Sequence, residues 1–379
     1  MFRSEFVLMA SVVDVRFKVT PAAARIPAAD RERILANPGF GKVFSEHMAI
    51  ARWDRDRGWH DGEVKPYGPI AMDPGTSVLH YAQAVFEGLK AYRMRDGRVA
   101  VFRPEANAAR FRRSARRLAL PELPDGAFVD AIDLLVGLDA VWVPSAPEHS
   151  LYLRPYMYAS EVNLSVHPSD AVTFVLIASP SGSYFPSGVK PVTVWLSEDF
   201  SRAAPGGTGA AKTGGNYAGS LLAQAQAAEQ GCDQVVWLDA IEHRWVEEMG
   251  GMNLCFVFGS GAKAKLMTPA LTGTLLPGIT RDALLTLGKD LGCVVEEGRI
   301  SVEQWRAGCA DGSLTEVFAC GTAAVITPVG AVKSARGSWP VGDGKPGAIS
   351  MRLRQALVDI QRGAAPDVHD WMHLVPASA

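Results

Sequence analysis

One lysine, Lys212, stands in the stretch Gly206-Gly207-Thr208-Gly209-Ala210-Ala211-Lys212-Thr213-Gly214-Gly215-Asn216-Tyr217, where five glycines surround it. Glycine lets a backbone take positive φ and approach a ligand closely. A lysine held in such a loop loses hydration, so its pKa can fall into the range where it acts as a nucleophile or forms a Schiff base. Most loop lysines are simply solvated. Here the glycine density, and the alanine- and glutamine-rich helical run 218–230 that follows at once, favour a functional one. A Walker A phosphate loop fits poorly, because the glycine required before its lysine is Ala211 and Thr213-Gly214-Gly215-Asn216 is a poor helix start.

Other residues have the types and spacing to bind charge. Glu247 and Glu248 sit at the mouth of the apolar strand 252–258, either as a site or as a solvated pair at a turn. Thr280 reads as the N-cap of a helix ending at Gly292, and a helix N-terminus favours a phosphate. The small residues after strand 316–321 form a turn that can present N–H groups to an anion. Six arginines lie in and beside helix 107–120; most read as a solvated basic face, and a single one can clamp a phosphate. Alternation along 151–155 puts Tyr152 and Arg154 on one side of a strand. A lysine, a carboxylate and phosphate cradles are the set a pyridoxal phosphate enzyme needs. The reaction does not follow from that set.

The elements that must position these residues read as a mixed α/β (α+β) chain of 379 residues, long enough for two domains. Strands are expected at 40–48, 90–93, 99–102, 151–155, 171–178, 191–197, 234–238, 245–248, 252–258 and 316–321, and helices at 107–120, 125–143, 218–230, 280–292 and 350–362. Residues 21–29 read as an exposed arm, 53–69 as polar and turn-rich, and 179–188 as a linker. This divides the chain into a smaller N-terminal α/β domain, 1–180, an interdomain loop, 181–190, and a larger C-terminal domain, 191–379. Hydrophobic content of 48% and charged content of 21% are globular values. A formal net charge of −2 leaves no electrostatic footprint for nucleic acid. Cys232, Cys255, Cys293, Cys309 and Cys320 are odd in number, widely spaced and without a Cys-x-x-Cys, so neither disulfides nor a metal site is expected and a reducing cytoplasm fits. The short apolar run 6–13 lacks the flanks of a signal peptide, and no run is long enough to span a membrane.

Seven stretches resemble, in order, the motifs of branched-chain amino-acid aminotransferases, which are fold-type IV pyridoxal phosphate (PLP) enzymes of D-amino-acid aminotransferase-like architecture. They are Phe86-Glu87-Gly88-Leu89-Lys90-Ala91-Tyr92, Leu151-Tyr152-Leu153-Arg154-Pro155, Gly182-Ser183-Tyr184-Phe185-Pro186, Lys212-Thr213-Gly214-Gly215-Asn216-Tyr217, Glu247-Glu248-Met249-Gly250-Gly251-Met252-Asn253, Leu276-Pro277-Gly278-Ile279-Thr280-Arg281 and Cys320-Gly321-Thr322-Ala323. The resemblance runs from about Phe40 to the C-terminal helix.

It implies transamination of L-leucine, L-isoleucine and L-valine with 2-oxoglutarate, giving 2-oxo acids and L-glutamate. Lys212 would hold PLP as a Schiff base and shuttle the proton at the substrate Cα. Glu248 would pair with the pyridine nitrogen, Glu247 being its solvated neighbour, and Tyr217 would meet the phenolic oxygen. Arg110, Ile279, Thr280 and Thr322 would hold the phosphate. Phe40, Phe86, Tyr152, Tyr184 and Tyr81 would contact substrate, with the Ala323 N–H on its α-carboxylate and Arg154 on a distal carboxylate. Tyr81 and its neighbours would come from the partner of a homodimer. The resemblance also leaves room for a D-amino-acid aminotransferase or a 4-amino-4-deoxychorismate lyase, against which Tyr152, Arg154, Tyr184 and Phe185 argue; a PLP carrier without turnover is a third reading, which keeps Arg110 and Thr280 but needs neither Tyr152 nor Arg154. Two departures stand out. Animal members carry a redox Cys-x-x-Cys where this chain has Ala324 and Thr327, so that thiol regulation is not expected. They also carry threonine where this chain has Gly251, which would loosen the carboxylate side of the pocket.

Overall fold

Among the described residues, alternating and continuous apolar stretches pair into two nine-stranded sheets. The computed structural model describes residues 15–185, 188–261 and 264–377; the apolar run 6–13 and Pro186 lie outside the described residues. The first part of the chain supplies β1 (Phe17–Val19), α1 (Ala28–Ala36), β2 (His47–Asp54), β3 (Gly58–Pro66), α2 (Val78–Tyr81), β4 (Ala84–Phe86), β5 (Leu89–Arg93), β6 (Val99–Phe102), α3 (Pro104–Arg117), α4 (Asp125–Leu138), β7 (Ser150–Ala159) and β8 (Ala171–Ser181). The rest supplies β9 (Val192–Ser197), α5 (Gly214–Ala218), α6 (Leu221–Glu229), β10 (Gln234–Leu238), β11 (Val246–Met249), β12 (Met252–Phe258), β13 (Lys265–Pro269), α7 (Ile279–Asp290), β14 (Val294–Gly298), α8 (Val302–Asp311), β15 (Leu314–Gly321), β16 (Val325–Ser334), β17 (Gly337–Pro340), α9 (Ala348–Gln361) and β18 (Met372–Leu374).

The first sheet has the order β1-β3-β2-β8-β7-β5-β6-β18, with β4 beside β7. One face is covered by α3 and α4, and Phe111, Phe128 and Phe174 meet there with ring centroids 5.4, 6.0 and 6.5 Å apart. The second sheet has the order β11-β10-β9-β16-β15-β12-β13-β14, and β11 also pairs with β12. That extra pairing closes β11, β10, β9, β16, β15 and β12 into a ring, which leaves those strands without the open edge a sheet otherwise presents. Its interior is filled by residues such as Val194, Leu196, Val236, Met249, Leu254 and Phe256. Helices α7 and α9 pack outside it against β15 and β16. Helix α8 begins on a capping box, Ser301 with Gln304, which satisfies two end groups reciprocally.

The structure departs from the sequence expectations in local ways. Residues 40–46 form a loop rather than the start of a strand, because Gly39 and Gly41 take φ of 65° and 67°, and β2 begins only at His47. The polar stretch 53–69 contains β3; a bulge at Asp61 and Gly62, where Asp61 takes a φ of 50° and the pairing with β2 shifts by one residue, lets both Trp59 and Val64 be buried and breaks the alternation. β8 continues to Ser181, into the stretch read as linker. β18, in the part of the chain assigned to the second unit, pairs antiparallel with β6 of the first sheet. The five cysteines are free thiols.

Replacing Phe174 by alanine removes a ring that touches two others in this core. The expected cost is about 3–5 kcal/mol, seen as a lower urea midpoint of unfolding; an unchanged midpoint contradicts this packing.

Candidate active site

The lysine loop is held between the two sheets. The Lys212 N–H donates to Ser114 Oγ of α3 at 2.9 Å, and the Lys212 carbonyl accepts from the Phe86 N–H of β4 at 3.0 Å. Thr213 Oγ1 donates to the Ala84 carbonyl, and Thr213 bridges to Val85. Within the loop, Asn216 Nδ2 donates to the carbonyls of Thr208 and Ala211. Gly209 is required for close approach: a Cβ there would lie 2.2 Å from the Thr274 carbonyl oxygen. Lys212 is thereby fixed just before α5, and its half-buried amine donates to Tyr217 Oη at 2.9 Å and lies 4.9 Å from the centre of the Phe86 ring.

Aromatic and cationic groups continue from there. Arg154 places its guanidinium carbon 4.9 Å from the Phe86 centroid and donates to Tyr152 Oη at 3.0 Å, as the strand alternation requires. Phe40 meets Tyr152 edge-on at 5.1 Å. Gly88 makes room for this, since a Cβ there would sit 2.0 Å from Tyr152 Oη. The buried Arg154 Nε has no hydrogen-bond partner. Phe40 and Tyr184 are 53% and 47% exposed, which puts them at the rim. Tyr184 lines a cavity with Ala323, and packs against Phe185 at 4.9 Å.

At the other end of the site, Glu248 is 2% exposed. Its Oε1 accepts from the Leu276 N–H at 2.7 Å and from Asn253 Nδ2 at 3.0 Å. Arg202 Nε lies 2.8 Å from Oε2 without hydrogen-bond alignment, so Oε2 is left as a buried acceptor facing a cation. Burial pushes the Glu248 pKa up to about 7, opposed first by Arg202 and then by the Leu276 N–H. Arg202 itself donates to the carbonyls of Thr274 and Gly209. Glu247 is not the solvated neighbour expected from the sequence. It is buried, and its Oε1 accepts from Thr274 Oγ1 at 2.5 Å, because β11 is enclosed by its pairing with β10 and β12.

Arg110 is 4% exposed and grips the fully buried Glu87 with two bonds of 2.7 Å, while Nη1 donates to the Pro277 carbonyl at 3.1 Å. Breaking such a buried pair from one side leaves an uncompensated charge and costs about 3–5 kcal/mol. Two of the five donors of the guanidinium remain. Beyond Pro277, Gly278 rather than Thr280 is the N-cap of α7. Glycine is needed there, since a Cβ would fall 2.0 Å from Asn253 Oδ1, and the helix is therefore already under way when the chain reaches Thr280. Ile279 and Thr280 occupy the first turn, whose N–H groups have no acceptor within the helix. Both line one cavity with Thr322.

The structure thus brings Lys212, Tyr217, Phe86, Tyr152, Arg154 and Phe40 into one cluster and Arg110, Ile279, Thr280 and Thr322 into the neighbourhood of Pro277. Tyr81 stands apart: it is 42% exposed on α2, and its hydroxyl donates to the Leu164 carbonyl. Sequence reasoning missed Arg202, Glu87 and Asn253. Arg202 lies ten residues before Lys212 in no periodic pattern, whereas Glu87 and Asn253 sit inside quoted motifs without an assigned partner. Gly251 packs on Tyr217, with a Cβ position 3.2 Å from Cε1, so the larger residue of animal members would have to displace that ring. Elsewhere, Glu46, His47 and Asp139 come together, but His47 Nδ1 donates to Asp139 at 2.6 Å and Nε2 accepts from the Ala22 N–H, so the ring is fully engaged.

Residues 84–332 match the protein family described as Amino-transferase class IV. The chain is 59% identical over 357 residues to the probable branched-chain-amino-acid aminotransferase of Streptomyces coelicolor, covering 94% of this chain and 98% of that one. It is 60% identical to the branched-chain-amino-acid aminotransferase of Mycolicibacterium smegmatis, covering 93% and 97%. Among solved structures, it is similar to the branched-chain amino acid aminotransferase of Escherichia coli, at 28% identity and a TM-score of 0.72 over 88% of this chain and 100% of that one.

The raised pKa of Glu248 has a consequence for stability. The folded protein binds this proton more tightly than the unfolded chain does, so the contribution is present below the ordinary carboxylate pKa of 4.5 and is lost as pH rises through about 7. In the protein without a ligand at this carboxylate, urea stability is expected to fall across that window, and in Glu248→Gln the fall is expected to be smaller, since burial also raises the pKa of Glu247. An identical pH slope in both proteins contradicts the assignment.

Proposed function

Given that this chain belongs to the class IV aminotransferase family, we propose that it transfers the amino group of L-leucine, L-isoleucine and L-valine to 2-oxoglutarate, with pyridoxal 5′-phosphate as cofactor. The observation that carries the reading is Arg154, a guanidinium among aromatic rings with a buried, unpartnered Nε. A pocket of that kind accepts an aliphatic side chain by excluding water, at roughly 25 cal/mol per Å² of apolar area. It accepts the distal carboxylate of glutamate by a charge-assisted hydrogen bond. One site can therefore serve both halves of the exchange.

The residues present fit the cofactor. The orphaned Glu248 Oε2 suits a protonated ring nitrogen, and Arg202 beside it favours the ionised carboxylate that such a nitrogen needs. Tyr217 suits the phenolic oxygen. Arg110, the first-turn N–H groups at Ile279 and Thr280, and the Thr322 hydroxyl suit a phosphate. When bound, pyridoxal phosphate supplies an aldehyde that captures amines and a ring that takes up the electron pair left at Cα.

The protein does the rest. Lys212, fixed through its backbone and held by Tyr217, takes the proton from the substrate Cα and delivers it back on one face, which sets the L configuration. Phe86, Tyr152, Phe40 and Tyr184 keep water from that carbon, and the Ala323 N–H receives the α-carboxylate. The exposed Leu79, Tyr81, Val162, Leu164 and Val166 suit a homodimer in which the Tyr81 region completes the partner's site. Free thiols suit a cytoplasmic setting. Among the described residues, no helix is long and apolar enough to cross a membrane.

Lys212→Ala is expected to abolish leucine-dependent glutamate formation and the yellow absorption of the loaded enzyme; full turnover by this variant overturns the reading. Arg154→Met is expected to raise KM for 2-oxoglutarate about tenfold or more while changing KM for L-leucine much less, the signature of one lost charge-assisted contact. Equal effects on both substrates contradict the role given to Arg154.

A further inference from the structure

Lys90 belongs to the motif that carries Phe86 and Glu87, yet nothing above uses it. It is 6% exposed on β5, and its Nζ reaches across the junction to donate to the Ala323 carbonyl at 2.7 Å. It lines two cavities. One is shared with Ile279, Thr280 and Thr322, and the other, of about 30 Å³, with Tyr184 and Ala323. The ammonium therefore stands between the region suited to phosphate and the region suited to a substrate carboxylate.

The turn it holds is conformationally demanding. Two residues after Ala323, Val325 takes a φ of 62°, a left-handed conformation that is an outlier for a β-branched side chain. Such backbone persists only where its surroundings over-determine it. The restraints here include the pairing of Val325 with Gly321 across β15 and β16, the Ile326 N–H on the Ala324 carbonyl and the Lys90 bond on Ala323.

The charges facing Lys90 come from several elements. Arg354 of α9 pairs with Glu148 at 2.8 Å, and Glu148 also accepts from Ser183 Oγ. Arg362 donates to the carbonyls of Arg93, Ala146 and His149. Tyr92 and Tyr184 complete the surroundings. The one nearby carboxylate among the described residues is thus committed to Arg354, and Lys90 meets a neutral carbonyl and two guanidinium groups. Burial first, then Arg362, lowers the Lys90 pKa to about 8, with Glu148 opposing.

We propose that Lys90 is the positioning residue of the carboxylate-binding turn. Its ammonium fixes the Ala323 carbonyl and supplies the positive field met by the incoming α-carboxylate, so carboxylate affinity depends on its charge and the rate of chemistry does not. The inference rests on the aminotransferase reading above, because it takes the Ala323 N–H as the carboxylate's partner. The charged form prevails below about 8, so affinity is full there and is lost as pH rises through that value.

The test uses the pyridoxal phosphate-loaded enzyme and 4-methylpentanoate, which has leucine's carbon frame without an amino group, with binding followed by calorimetry on both sides of pH 8. Wild type is expected to bind less tightly as pH rises through about 8. Lys90→Met is expected to bind about tenfold more weakly at neutral pH, with no such step. Its KM for L-leucine and 2-oxoglutarate should rise while kcat stays within about twofold. Lys90→Arg, whose guanidinium does not titrate in this range, should keep the affinity and lose the step. If Lys90→Met binds and titrates as wild type does, the proposal is overturned. If Lys90→Met does not fold, persistence of the step in Lys90→Arg overturns it alone. Failure of wild type both to bind the probe and to form glutamate from leucine would instead overturn the reading beneath it.

Discussion

The lysine loop follows β9 of the second sheet, but its position is set by the first. Two backbone bonds on Lys212, from Phe86 and to Ser114, and the Thr213 bridge to β4 fix where the lysine stem begins. A four-carbon side chain has wide reach, so placing its nitrogen requires a fixed root and close neighbours. Tyr217 and Phe86 supply the neighbours, and Asn216 and Gly209 keep the loop folded on itself and against the 274 region. Every distance in the site that includes Lys212 depends on the two sheets holding their relation.

Two buried ion pairs flank that loop, and they differ in a way that decides their roles. Glu87 receives two hydrogen bonds from Arg110, so both of its oxygens are satisfied and the pair is complete. Glu248 receives its hydrogen bonds on Oε1 alone, and the cation beside Oε2 is misaligned for a bond. A finished bidentate pair anchors structure. A half-finished one in low dielectric has reactivity in reserve, because a buried polar atom without a partner gains strongly from a ligand that supplies one.

Much of this was legible in the residues themselves. The continuous apolar runs at 171–178 and 252–258 are strands, and the alternation of Tyr152 with Arg154 does bring the two side chains together. The glycines around Lys212 do permit close backbone approach, most clearly at Gly209. What was hidden depends on contacts far apart in the chain. Nothing within ten residues of Arg202 announces Glu248 as its neighbour, and Glu247 looked solvated because ring closure by β11 and β12 cannot be seen from a turn and four residues. β3 is hidden because a bulge at Asp61 and Gly62 puts Trp59 and Val64 out of step with a period of two. The helix start moved from Thr280 to Gly278 because packing against Asn253 admits only glycine there.

The last strand has an implication for how the protein comes into being. β6 is finished early in translation, yet its outer neighbour, β18, lies some 270 residues further on. Until those residues leave the ribosome, the flank of β6 stays bare and the first sheet is one strand short. A growing chain can complete the ring in its second sheet while its first sheet still waits. β18 then acts as a clasp, binding an early part of the chain to one made much later.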